Sequence, residues 1–368
     1  MPAPPLQTDG IKLIQNNSIE LLKQLIRIPS LSKHEDKTAR AIADFLTSQG
    51  IASKRYLNNI WATNKYFDHA KPTILLNSHH DTVQPNSGYS MDPYFPKVKE
   101  GKLFGLGSND AGGCLVSLIG AFVFYHSIPD LKYNLILAAT AEEEISGSNG
   151  IEALLLEDEF KNCCTNNICG LVGEPTQMQM ATAEKGLLVI DCISYGIAGH
   201  AARDEGENAI YKAMKDIHWF KTFRFPKVSD FLGPVKMSVT SISTSNKAHN
   251  VVPGECSFVA DLRINECYTF EEVISIVREN IGSEVVPRST RLRSSSISSD
   301  HPLVMAGGSL GKMSYGSPTT SDKALMPFPA LKMGPGNSSR SHSADEFIYL
   351  EEINDGICTY INILKQLL

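Results

Sequence analysis

Three times in this chain of 368 residues, a short run of largely apolar residues ends in a cluster of acidic or imidazole side chains. Thr73-Ile74-Leu75-Leu76-Asn77-Ser78 runs into His79-His80-Asp81, Tyr133–Thr140 into Glu142-Glu143-Glu144, and Gly170–Gly173 into Glu174-Pro175. Runs this short, with little polar alternation, predict strands buried on both faces, as in a parallel sheet covered by helices. In an open α/β sheet, ligands bind outside the carboxyl ends of the strands. The pattern therefore constrains fold and site together: an α/β core whose strand ends present carboxylates and imidazoles.

The length favours two domains over one core. Apolar residues make up 42% and charged residues 20%, ordinary for a soluble globular protein. A net charge of -6 with scattered Lys and Arg gives no support for nucleic-acid or membrane-surface binding, leaving small polar substrates open. No run reaches the roughly 18 apolar residues of a membrane span, and the first residues lack a basic stretch followed by an apolar one, so a cytoplasmic address is expected. The eight cysteines lack zinc-ribbon spacing and read as reduced and mostly buried.

Helical spacing predicts helices over 18–28 and 34–49, separated by Pro29-Ser30, and a buried helix over 114–125 entered through Gly112-Gly113. After Thr176 the texture changes. Residues 186–195 alternate like a half-exposed strand, a helix follows over 208–220, strands over 236–244 and 256–264, and a helix over 270–280. That β-α-β-β-α order resembles a ferredoxin-like insertion. Ser294–Ser299 reads as a polar linker, and a last helix is expected over 344–367. The expected organisation is a catalytic domain in two parts, 1–180 and 289–368, with an inserted dimerisation or lid domain over 181–288.

Six short segments, His79-His80-Asp81, Asn109-Asp110, Glu142–Glu144, Glu174-Pro175, Gly199-His200 and Ser341-His342, together carry enough oxygen and nitrogen ligands for two divalent metals, with a carboxylate to spare. Residues i and i+2 of an extended exit share a face, so Asp81 is placed to hold the second ring nitrogen of His79. Neighbouring side chains diverge at a strand-end turn, which suits Glu144 as ligand and Glu143 as general base, with Glu142 solvated or supporting. Asp110 suits a bridging carboxylate, since metals about 3.5–4 Å apart share one; its plainer reading is a cap for the helix after it.

The order of these motifs resembles the co-catalytic two-zinc deacylase and exopeptidase family of acetylornithine deacetylase, succinyl-diaminopimelate desuccinylase, aminoacylase and glutamate carboxypeptidase. The resemblance spans nearly the whole chain, from Ile28-Pro29-Ser30-Leu31-Ser32 through Asn250-Val251-Val252-Pro253 to Gly334-Pro335-Gly336. It implies a zinc-exopeptidase-like α/β/α catalytic domain with the inserted ferredoxin-like α+β domain. It further implies that His79 and Glu174 hold one metal, Glu144 and His342 the other, and Asp110 both, with a cis Asp110–Ala111 peptide. Glu143 would be the base. His200 would polarise the scissile carbonyl, arriving from the partner of a homodimer built through the insertion. Asn250, Arg263 and Gly336 match places where relatives grip the substrate's α-carboxylate, a task that suits the planar fork of Arg; Thr320-Ser321-Asp322 would line the same end. Two departures stand out: relatives carry Arg at Leu106 and Lys at Gly112.

The expected reaction is hydrolysis of an N-acyl amino acid, N-acetyl-L-ornithine first, within arginine biosynthesis. Alternatives are N-succinyl-ornithine, N-acetylcitrulline, succinyl-diaminopimelate, or a di- or aminopeptidase substrate; from another class, a catalytically silent metal-binding scaffold. Two divalent ions are implied, zinc first, with cobalt or manganese also suited to mixed carboxylate and imidazole ligands.

Overall fold

A computed structural model describes residues 8–164, 167–203 and 205–368. The chain forms two compact units: Met1–Thr182 with Ile297–Tyr315 and Ser321–Leu368, and Ala183–Ser296 with Gly316–Thr320.

In the first unit the strands lie in the order Lys54–Tyr56, Asn59–Thr63, Asn134–Thr140, Thr73–His79, Ile168–Val172, Ala330–Lys332 and Met180–Glu184. The four from Asn134–Thr140 to Ala330–Lys332 are parallel. Strand Thr73–His79 is buried at every position, and its alternation divides the core in two. Ile74 and Leu76 join Leu115, Leu118, Phe122 and Ile357 on one side, where helices Thr8–Ile26, Gly113–His126 and Leu350–Leu367 pack. Leu75 joins Trp61, Ile136, Leu154 and Phe160 on the other, under helices Ile151–Leu156 and Asp158–Cys163. The result is the expected α/β/α sandwich, with each such apolar side chain contributing about 1.5–3 kcal/mol by leaving water.

The second unit is a βαββαβ fold whose sheet runs Lys236–Ser243, Glu255–Ile264, Gly186–Tyr195, Glu284–Pro287, all antiparallel. This is the ferredoxin-like arrangement. Leu188, Ile190 and Cys192 face inward at every second position, against Ala213 and Phe220 of helix Ala209–Thr222 and Val273 and Val277 of helix Phe270–Asn280.

Several expectations shift. The first helix begins at Thr8, well before the predicted start. The last begins only at Leu350, because Phe347–Tyr349 is a strand paired with Lys102–Phe104, and the Glu352 carboxylate accepts the Tyr349 N–H at 3.0 Å, satisfying a donor at the helix start. Ser295-Ser296 is a short strand paired with Glu184 and Ala183 rather than a linker. All eight cysteines are unpaired, four buried and four half-buried. Among the described residues, no helix is long and apolar enough to cross a membrane.

Candidate metal centre

Parallel register assembles the site. His79 stands opposite Thr140 and Asn77 opposite Val172, so the turn carrying Glu143 and Glu144 and the exit carrying Glu174 emerge beside the imidazole. Asp110 comes from the turn Ser108–Gly112 that feeds the buried helix Gly113–His126, and the Asp110–Ala111 peptide is cis. His342 lies between the short turn Ser338–Arg340 and strand Phe347–Tyr349, in the left-handed region at φ 59°.

His79 Nε2 lies 3.4 Å from Asp110 Oδ1, 3.7 Å from Glu174 Oε1 and 3.9 Å from Glu143 Oε2. His342 Nε2 lies 3.0 Å from Glu144 Oε2 and 3.7 Å from Asp110 Oδ2. The two oxygens of Asp110 thus face the two histidines. His79, Asp110 and Glu144 form one set of donor atoms within 4.8 Å of one another; His79, Glu143 and Glu174 form a second.

The electrostatics of these groups fit divalent cations. Burial, then the neighbouring Asp110 carboxylate, pushes Glu174 up to about 8. Burial also raises Glu143 and Glu144. His342 is lifted to about 9, chiefly by its bond to Glu144. Burial works against a charged His79, yet the neighbouring Asp110 and Asp81 carboxylates raise it. Carboxylates crowded this way are poorly ionised alone and well ionised beside a dication. His79 Nε2 makes the same point as a single atom: it is buried, faces three carboxylates, and has no hydrogen-bond partner. Mixed imidazole nitrogen and carboxylate oxygen suits zinc, cobalt or manganese.

Asp81 does more than orient His79. Its carboxylate accepts the backbone N–H groups of Glu143 at 3.1 Å and Glu144 at 3.2 Å and the Ser32 hydroxyl at 2.7 Å. His79 Nδ1 lies nearer the Asp81 carbonyl oxygen, 3.1 Å, than its carboxylate, 3.4 Å. His80 points away, its ring between Thr38 and the Asn58 carbonyl, and burial lowers it to about 4. Glu142 is not solvated: it is buried, with its carboxylate on the Asn149 side-chain amide.

The remaining sequence candidates divide between the two units. In the second unit, His200 pairs with Val251 across a two-residue ladder, and the Asn250 carbonyl accepts the Ala201 N–H at 3.0 Å, so His200 and Asn250 are neighbours. Arg263 grips Asp261 of its own strand through two bonds, 2.8 and 3.0 Å. Gly336, in the first unit, has φ 86° and lies so close to the Asn109 side chain that a Cβ would meet it at 2.5 Å, a backbone reason for glycine.

The two departures also have local causes. A Cβ at Gly112 would strike the Gly107 carbonyl and Leu22, while Leu106 is buried and lines a small cavity together with Leu22, Leu25, Ile26 and Leu115. Three groups at the centre, one half-buried and two buried, gave no sequence signal of what they do there. Half-buried Ser32 is the hydroxyl donor to Asp81. Asp322, expected along the substrate pocket, is buried, accepts the Thr140 hydroxyl at 2.7 Å and is raised to about 6 by burial. Glu346, four residues past His342, is buried and pushed up to about 8 by burial and then by Asp110.

The sequence pattern of peptidase family M20/M25/M40 matches residues 75–366, most of the chain. The chain belongs to this family. The M20 chain is 25% identical over 389 aligned positions to succinyl-diaminopimelate desuccinylase of Buchnera aphidicola, covering 95% of this chain and 98% of that protein. Among solved structures it resembles aminopeptidase PepT from Bacillus cereus (TM-score 0.75, 17% identity, 96% and 98% of the two chains covered). It also resembles a dinuclear metal-binding M20 peptidase from Bacillus subtilis (TM-score 0.70, 17% identity, 96% and 98%). At those identities the structures speak for the shared fold. Family membership makes this M20 chain a metal-dependent hydrolase of amide bonds.

Proposed function

We propose that the chain hydrolyses the amide of an N-acyl amino acid, with His79, Asp110, Glu144, Glu174 and His342 holding two divalent ions and Glu143 as general base. The observation that carries this is the Asp81 clamp: one buried carboxylate holds the N–H groups of both Glu143 and Glu144, fixing base and ligand relative to His79. When bound, the ions supply Lewis acidity and a water acidic enough to be deprotonated near neutral pH. Glu143 Oε accepts that proton and returns it to the leaving nitrogen, since amine departure requires protonation. His200 donates from its ring to the carbonyl oxygen as negative charge develops. Asn250, Arg263 and Gly336 receive the amino-acid carboxylate; for Arg263 this requires exchanging Asp261 for substrate.

N-acetyl-L-ornithine, the substrate of an arginine-biosynthetic step, leads because the motif series around Asp110 and His342 most resembles that branch. N-succinyl-diaminopimelate is the second reading, favoured by the near full-length similarity to a desuccinylase. The homodimer reading is supported by the second unit's edge strand Lys236–Ser243, with Ile242 exposed, and by exposed Tyr211 and Met214 on helix Ala209–Thr222. A monomer with full turnover would remove the partner-donated role of His200. A cytoplasmic setting agrees with the unpaired cysteines.

The test is a panel of acetyl, succinyl and formyl derivatives of ornithine, citrulline, lysine and diaminopimelate, with dipeptides beside them, run on the protein and on Glu143→Ala. The variant is expected to keep its metal content and lose about 10²–10⁴-fold in kcat. Unchanged turnover sinks the role of Glu143, and preference for dipeptides sinks the deacylase reading.

A further inference from the structure

One acidic side chain that the proposed reaction does not use reaches the centre by another route. Glu346 is buried, and its Oε1 accepts two consecutive backbone N–H groups, Asn109 at 2.8 Å and Asp110 at 3.0 Å. The Gly107 N–H also faces this carboxylate. The Glu346 carbonyl oxygen accepts the Gly105 N–H at 3.0 Å. One residue therefore takes up four of the six backbone donors from Gly105 to Asp110, the Leu106 N–H going to Pro93 and the Ser108 N–H to Gly105, and the last member of that loop is the carboxylate facing both histidines. Immediately after Glu346, Phe347–Tyr349 pairs with Lys102–Phe104, locking the two segments in register.

The other end of the connection is His342. Residues 342–346 join it to Glu346, and this strap is tied down separately. Asp345 accepts the Ser90 hydroxyl at 2.5 Å and the Ser90 and Met91 N–H groups at 2.9 and 3.1 Å, and the Asn86 side-chain amide donates to the His342 carbonyl at 3.0 Å. A carboxylate is the side chain suited to position 346. Ionised, as cations at the centre would favour, its two oxygens accept only, whereas Gln would turn an N–H₂ toward backbone donors on one side.

We infer that Glu346 is a positioning residue: it couples the loop bearing Asp110 to the strap bearing His342, so that Asp110 is presented to both metals at once. This rests on Asp110 as the bridging ligand, the reading given above. Glu346 itself touches neither substrate nor metal. Its loss is expected to loosen the bridge rather than the fold, and to lower kcat rather than raise KM.

The experiment loads the full chain, Glu346→Gln, Glu346→Asp and Asp110→Asn with Mn²⁺ and records metal stoichiometry, electron paramagnetic resonance, thermal stability and steady-state kinetics. The parent protein is expected to show the spectrum of an exchange-coupled pair, and Asp110→Asn to lose it. Glu346→Gln is expected to fold, bind Mn²⁺, lose most of the coupled signal and drop at least tenfold in kcat with KM within about twofold. Glu346→Asp, which withdraws the carboxylate by one methylene, is expected to lie between. A coupled signal and kcat preserved in both Glu346 variants would overturn the proposal. So would a loss of signal that only tracks a fall in thermal stability. A parent protein without a coupled pair, or Asp110→Asn that keeps one, would instead overturn the bridging reading.

Discussion

The inner and outer walls of the centre are built differently. His79 is 1% exposed and closes a strand buried at every position, with Glu174 just beyond the neighbouring strand. His342 is 55% exposed and sits in a left-handed conformation on a strap held by side-chain hydrogen bonds. The inner groups inherit their geometry from a hydrogen-bonded sheet and a packed core. The outer histidine depends on a handful of polar contacts, each worth about 0.5–1.5 kcal/mol. Rigid presentation of one edge and adjustable presentation of the other can therefore coexist in a single candidate site.

The sharpest way to break that comparison is to remove each histidine. His79→Ala is expected to abolish binding at the inner position, because its buried Nε2 faces Asp110, Glu143 and Glu174 together. His342→Ala is expected to keep one tightly held ion and weaken the other by at least 10–100-fold, the scale of losing a metal-supporting contact. Calorimetric titration of the metal-stripped proteins reads both, and equal losses would erase the distinction.

A second, smaller effect concerns pH. In the metal-free fold Glu174 keeps its proton up to about 8, against an ordinary value of 4.5. Between those values the folded chain binds more protons than the unfolded chain. Its stability is therefore fully present below about 4.5 and is lost as pH rises through about 8. Thermal denaturation of the stripped protein should show Tm falling across that window, and bound cations should flatten the slope by favouring the ionised carboxylate. A stripped protein whose Tm rises over the same range would contradict the burial argument.

The smallest effect is expected at Ser32, the hydroxyl donor to Asp81. Ser32→Ala is expected to cost about 0.5–1.5 kcal/mol in stability and a few-fold in kcat through the inner wall, with Ser32→Thr restoring both. No change in either would show that Asp81 is held by backbone donors alone.

Much of the inner wall was legible in the chain because its signals are local. Apolar runs of strand length ending in His79, Glu143-Glu144 and Glu174 follow from side-chain alternation and burial. Spacing also led to helices Gly113–His126 and Phe270–Asn280 and to strand Gly186–Tyr195. What local pattern missed lies where distant segments meet. Residues 344–349 have helical spacing, yet strand pairing with Lys102–Phe104 draws Phe347–Tyr349 into an extended form. Asp322 gave no sign that its partner would be Thr140, 182 positions away.

Composition and periodicity by themselves determined the α/β class, the inserted α+β unit and the residue types able to bind two cations, because each depends on neighbours along the chain. Only the tertiary structure decided which oxygen meets which donor: that Asp81 serves Glu143 and Glu144, that Arg263 answers to Asp261, and that Glu346 gathers the N–H groups of the Asp110 loop. A buried carboxylate must find its donors wherever packing brings them, and that choice is made in space, hundreds of positions apart for Glu346.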